Sequence, residues 1–268
     1  MAEAEAAAPG AAEAGGATAL AAGVARVVAE ARAVIERDQP AGRRAHGGYR
    51  LADVVHDGVV DLPRLVCGAE GTLGIVTEAT LASVPADPAS AVALLLFDSL
   101  DAAARAALRL APLAPSACDL FDKRHLALAR DARVAFELLI PPVADAGLLV
   151  EFVGADGRDA AAKLEEAIRL VNGARRLCID VRRAEDAADV ALFWELSRQV
   201  VATLHGVRGA ERPVPFVEDI VVPPEALPEF LRRMQGVLKQ QGATAMLFGH
   251  AGHGQLHVRP YADPRAPE

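Results

Sequence analysis

Beyond residue 85 the chain alternates short apolar runs with amphipathic stretches. Residues 91–97, 118–121, 147–153, 176–181, 216–222 and 244–248 are apolar runs of strand length. Between them, residues 100–110, 158–171, 184–204 and 225–240 place apolar side chains at helical spacing. Strands separated by helices of this size predict an α+β fold of ferredoxin-like (βαβ-repeat) type, with helices on one face of the sheet.

The first 85 residues read differently. Residues 1–17 are low-complexity Ala, Glu and Gly and are expected to fray. Thr18 is placed to cap a helix in which Leu20, Val24, Val27, Val28, Ala31, Val34 and Ile35 form one apolar face, ended by Pro40 and Gly42. Such a face expects a partner surface, most simply its own domain. His46-Gly47-Gly48-Tyr49 reads as a turn. Gly68, Gly71 and Gly74 then recur every third residue between two β-prone segments, Leu65-Val66 and Ile75-Val76-Thr77. Glycine there permits positive φ or close approach to a ligand. The spacing is not that of a dinucleotide-binding fingerprint.

Composition narrows the function classes. A length of 268 residues allows one large domain or two modest ones, and 52% hydrophobic with 4% aromatic residues means cores built from Leu, Val, Ala and Ile. A net charge of -8 leaves no basic surplus to hold nucleic acid. Cys67, Cys118 and Cys178 lie far apart, which predicts no zinc ribbon, no thioredoxin-type motif and no iron–sulfur cluster in this chain. The N-terminus has no basic and apolar leader, and no apolar run reaches the roughly 18 residues of a transmembrane segment. These features predict a cytoplasmic protein.

Candidate chemistry concentrates near the C-terminus. His250, His253 and His257 fall within eight residues of a chain with seven histidines. Gly249, Gly252 and Gly254 disfavour a helix there, so strand, tight loop and returning strand are expected. On the returning strand His257 and Arg259 share a face, setting an imidazole beside a guanidinium. Imidazoles bind metals, and a guanidinium is the bidentate partner of a carboxylate. The pair points to a small hydroxy- or keto-acid substrate; the alternative is a solvated surface loop. Of Glu218 and Asp219, adjacent on a strand, only one can face a cleft, either to orient a histidine or as a plain polar edge. Trp194 and Arg198 form an i,i+4 helical pair that binds an acid or simply pairs at the surface.

Two segments carry a family resemblance. CGAEGTLGIVTEATL resembles the GSEGTLGI-type segment that closes the FAD-binding domain of vanillyl-alcohol-oxidase-like flavoproteins. HAGHGQLHVRP resembles the GHxGDGNLH-type motif of the FAD-linked oxidase C-terminal domain. With HGGYRL upstream and FVEDIVVP between them, the likeness spans roughly residues 19–263 and fits the branch of D-lactate, glycolate and D-2-hydroxyglutarate dehydrogenases. The resemblance implies an FAD-dependent oxidoreductase that transfers hydride from a D-2-hydroxy acid to flavin, assisted by a divalent, zinc-like metal. It further implies an electron acceptor protein or quinone, reached in the cytoplasm or at the membrane periphery. By position it assigns Gly68, Glu70, Gly71, Gly74 and Ile75 to flavin contact, His250 and His257 to the metal and Arg259 to substrate. His253 replaces an acid of the motif and is the candidate catalytic residue. Ser197 stands where relatives carry a substrate-binding arginine, with Arg198 one residue out of register as its candidate substitute. The implied layout is a leader and helix over 1–42, the end of a flavin domain over 43–85 and a truncated substrate or cap domain over 86–268. In that layout an adjacent chain supplies the flavin pyrophosphate loop. A second reading is a non-catalytic cap domain that binds an acid or a partner without flavin; a metal-dependent hydrolase is a distant third.

Overall fold

The computed structural model describes residues 11–38, 48–83, 89–173, 176–203, 209, 211–263 and 265. The chain divides into two compact units, Met1–Pro85 and Ala86–Glu268.

The first unit opens with helices α1 (Ala11–Glu30) and α2 (Arg32–Asp38). Thr18 therefore lies inside α1 and is not its cap. Residues 11–17 are helical rather than frayed, as the high helix propensity of their alanines favours. Pro40, Gly42, His46 and Gly47 lie outside the described residues. A small hairpin follows, β1 (Val55–His56) and β2 (Val59–Val60). Its two-residue loop is Asp57-Gly58, both at positive φ (50° and 80°), the turn whose twist matches paired strands.

Helix α3 (Leu62–Val66) is capped by Asp61, whose carboxylate accepts the Arg64 N–H at 3.0 Å. Leu65 and Val66 are thus helical, not extended. Residues 75–77 adopt no regular structure. A strand requires a partner ladder, which local propensity cannot supply.

The second unit runs β3 (Ala89–Phe97), α4 (Leu100–Leu110), β4 (Ala117–Asp122), α5 (Lys123–Ala132), α6 (Val134–Leu139), β5 (Ala146–Gly154), α7 (Gly157–Val171) and β6 (Asp180–Arg183). It continues with α8 (Ala187–Thr203), β7 (Arg212–Pro213), β8 (Val217–Val221), α9 (Leu227–Gln240), β9 (Ala245–His250) and β10 (Gln255–Ala262). The eight strands form one sheet in the order β6-β3-β5-β4-β9-β10-β7, with β8 also paired to β10. β5 lies between β3 and β4 and is antiparallel to both, and β3 lies likewise between β5 and β6. These are two interlocked split βαβ units, the ferredoxin-like arrangement expected. β9 and β10 extend that sheet beyond β4.

The expectation of helices on one face holds only for α4, α7 and α9. Along β3 the side chains alternate. Ala93, Leu95 and Phe97 pack with Leu110, Leu164 and Leu231 of those helices. Val92, Leu94 and Leu96 pack on the opposite face with Leu126, Phe136, Phe193 and Leu196 of α5, α6 and α8. A β3 strand that is apolar at every position from Val92 to Phe97 requires cover on both sides. Each fully buried Leu or Phe here contributes about 1.5–3 kcal/mol. No helix among the described residues is long and apolar enough to cross a membrane.

Candidate active site

The strand register builds a polar cluster on the α5/α8 face of the sheet. Asp119 of β4 pairs with His250 of β9, and Phe121 with Phe248. On the other side of β9, Phe248 pairs with His257 of β10. Period-two alternation therefore brings Asp119, Phe121, Phe248, His250, His257 and Arg259 to one face. Leu120, Leu247, Leu256 and Val258 point the other way, into the core under α4 and α9. Gly254 makes the β9–β10 connection possible. It sits at φ 70°, and a Cβ there would run into the Val222 carbonyl oxygen.

Each of the two predicted metal-binding imidazoles leans on a carboxylate. His250 Nδ1–H donates to Asp119 Oδ1 at 2.7 Å. His257 Nδ1–H donates to Glu218 Oε2. The second oxygen of Asp119 accepts the Ser197 hydroxyl of α8 at 2.9 Å, and the second oxygen of Glu218 accepts Arg259 Nε–H at 2.7 Å. Glu218 is placed toward the histidine and holds the imidazole and the guanidinium side by side; the Asp219 side chain lies outside the described residues. The His257 ring stacks on Phe248 with centroids 5.0 Å apart, and the Arg259 guanidinium lies 5.1 Å from the same ring.

Asp119, Phe121, Ser197, Phe248, Gly249, His250 and His257 enclose a cavity of about 130 Å³. Beneath it His125 is fully buried between Phe121 and Phe248, with centroids at 4.6 and 5.8 Å. Its Nε2–H donates to the Leu196 carbonyl at 2.9 Å, which ties α5 to α8 one residue from Ser197. Burial pushes the His125 pKa down to about 4, so the ring is neutral at ordinary pH.

The predicted residues divide by place. His250, His257, Arg259 and Glu218 come together. His253 ends the 3-10 turn between β9 and β10 and does not line the cavity. Arg198 lies over the Trp194 ring at 5.2 Å, in a separate groove that both line. Gly68, Glu70, Gly71, Gly74 and Ile75 belong to the first unit. There Glu70 (φ 51°) and Gly71 (φ 75°) form a tight turn closed by Thr72 N–H to the Ala69 carbonyl at 3.0 Å. A Cβ at Gly71 or Gly74 would meet nothing within 4 Å, and Ile75 is 93% exposed. Sequence reasoning missed Asp119 and Ser197. The signal for Asp119 was an acid inside the apolar run Cys118–Phe121, since a buried carboxylate requires partners.

The donor set fits a cation in part. Imidazoles backed by carboxylates are the usual environment of metal-binding histidines. Yet among the described residues no group of three or more His, Cys, Asp or Glu is arranged to hold a metal ion. His250 and His257 therefore account for two positions of a coordination shell and no more.

Residues 86–268 match the family model described as FAD linked oxidases, C-terminal domain. The chain belongs to this family. It is 31% identical over 249 residues to the D-2-hydroxyglutarate dehydrogenase of Pantoea ananatis (strain AJ13355), a match over 87% of this chain and 24% of that protein. It is 28% identical over 227 residues to the glycolate oxidase subunit GlcD of Bacillus subtilis (strain 168), covering 82% of this chain and 44% of the relative. A D-lactate dehydrogenase of Archaeoglobus fulgidus (strain ATCC 49558 / DSM 4304 / JCM 9628 / NBRC 100126 / VC-16) is 27% identical over 200 residues, 74% of this chain and 42% of that one. The chain thus spans about a quarter of the length of the D-2-hydroxyglutarate dehydrogenase it matches. Among solved structures, alkyldihydroxyacetonephosphate synthase superposes with a TM-score of 0.52 at 15% identity, over 79% of this chain and 44% of that one, which shows a shared fold.

Proposed function

We propose that this FAD-linked oxidase chain forms the substrate side of an FAD-dependent oxidoreductase acting on a D-2-hydroxy acid of the D-lactate, glycolate or D-2-hydroxyglutarate class. The observation that carries the reading is that His250 and His257 line one cavity, while Glu218 holds His257 beside Arg259. The names of the relatives support the substrate class.

FAD, when bound, supplies the hydride acceptor, and the exposed segment from Gly68 to Ile75 is proposed to contact it. A divalent, zinc-like cation, when bound at His250 and His257, supplies a Lewis acid for the substrate oxygen. Arg259 uses Nε to hold Glu218 and keeps its terminal nitrogens for the substrate carboxylate. Arg198, above Trp194, is the second cation proposed for the acid. Phe121 and Phe248 line the cavity with aromatic carbon and keep water from its floor. Electrons then leave to an acceptor protein or quinone, and an adjacent chain is proposed to supply the flavin pyrophosphate loop.

Replacing His257 with Ala tests the site. The variant is expected to keep its circular dichroism and lose zinc that the parent retains through gel filtration. Unchanged zinc content would remove His257 from the metal site.

A further inference from the structure

The cavity lined by His250 and His257 is small, and its size limits what can enter. Its volume is about 130 Å³. An apolar cavity of about 150 Å³ takes a ligand of about six non-hydrogen atoms, such as benzene. Glycolate and D-lactate fall within that size. 2-Hydroxyglutarate, whose longer arm ends in a second carboxylate, exceeds it.

The chemistry of the walls points the same way. Phe121 and Phe248 present aromatic carbon to the cavity. Phe121 is 1% exposed and packs on the His125 ring, so it has no room to swing aside. The hydroxyl that α8 contributes, that of Ser197, is committed to Asp119 at 2.9 Å. Among the described residues no lysine or arginine lines the cavity. A second carboxylate inside it would therefore lie near Asp119 with no cation to offset its charge. Arg259, held beside His257 by Glu218, serves the one carboxylate that every 2-hydroxy acid carries. Arg198 lies in a separate groove with Trp194 and adds no charge to these walls.

We propose that Phe121, Phe248 and Ser197 are specificity-determining residues that restrict the site to short monocarboxylic 2-hydroxy acids. Of the three acids in the relatives' names, D-2-hydroxyglutarate is the one this cavity excludes. The inference narrows the substrate class proposed above and rests on that reading only for the choice of hydroxy acids.

The test is binding to the flavin-free full chain, where no turnover intervenes. NMR titration with carbon-labelled phenylalanine follows the Phe121 and Phe248 rings as each acid is added. D-2-Hydroxypentanoate, which has the glutarate arm without its charge, separates size from charge. D-Lactate is expected to move both rings and to bind about 10-fold or more tightly than D-2-hydroxypentanoate or D-2-hydroxyglutarate. F121L removes ring atoms from the wall. It should bring D-2-hydroxypentanoate closer to D-lactate and leave D-2-hydroxyglutarate weak.

The ranking in the parent decides the matter if F121L does not fold. D-2-Hydroxyglutarate or D-2-hydroxypentanoate bound as tightly as D-lactate would overturn the proposal, as would ring signals that no acid moves. The expected ranking in a protein whose flavin no acid reduces would support the specificity and defeat the oxidoreductase reading.

Discussion

Asp122 and His125 stand three residues apart at the start of α5, both buried, with opposite consequences for stability. Burial pushes the Asp122 carboxyl up to about 7 from 3.8, against the pull of backbone N–H donors such as that of His125. Burial pushes His125 down to about 4 from 6.5. As pH falls from 6.5 to 4, the unfolded chain protonates its histidine and the folded chain does not, so His125 costs stability. Over the same window folded Asp122 takes up a proton that the unfolded chain does not yet bind, so Asp122 adds stability. The two effects offset one another. Asp122→Asn keeps the N-cap, since Asn caps as well as Asp, but removes the offset. The variant should lose on the order of 2 kcal/mol more than the parent between pH 6.5 and 4 in urea titrations. Parallel stability profiles would contradict the opposed burial of the pair. At this scale His257 and Arg259 were legible because strand alternation puts them on one face, whereas Glu218 was legible only as one of two adjacent acids. Asp119 was legible only as an anomaly in an apolar run, and Ser197 not at all, because its role depends on how α8 crosses the sheet.

Helix α8 brings Ser197 to the cavity. Phe193 and Leu196 enter the core between α5 and β3, and His125 holds the Leu196 carbonyl. Phe193→Ala should cost roughly 3–5 kcal/mol of stability, read by chemical denaturation. A loss below about 1 kcal/mol would mean that α8 is not held by this contact. Most of the ferredoxin-like unit could be read from periodicity, including the bounds of α4 and nearly those of β5, α7 and β9. Helices α5 and α6 were missed. In α5 the buried His125, Leu126 and Ala129 are interleaved with Arg, Lys and Asp, and α6, at six residues, is too short for a helical period to show. Those two helices are what turned an expected one-sided sheet into one covered on both faces. The β1–β2 hairpin was also missed, although Asp57-Gly58 between valine-bearing pairs is a strong local turn signal. Strand β6 sits later in the chain than expected, at Asp180–Arg183. Pairing with the centre of β3 set its position, and local hydrophobicity did not.

At the scale of the whole molecule, the second unit holds the polar cavity and the first holds the exposed glycine segment. The family match covers the former, and the likeness to relatives reaches into the latter. The proposed activity oxidises a hydroxy acid and reduces a flavin. It is tested most directly by anaerobic addition of D-lactate, glycolate or D-2-hydroxyglutarate to the flavin-loaded protein, isolated from its natural source with any chain that accompanies it. Bleaching of the visible flavin band by at least one of these acids, with no bleaching by the L-enantiomer where one exists, is the predicted result. Protein isolated without flavin, or flavin that stays oxidised with all three acids, would contradict it.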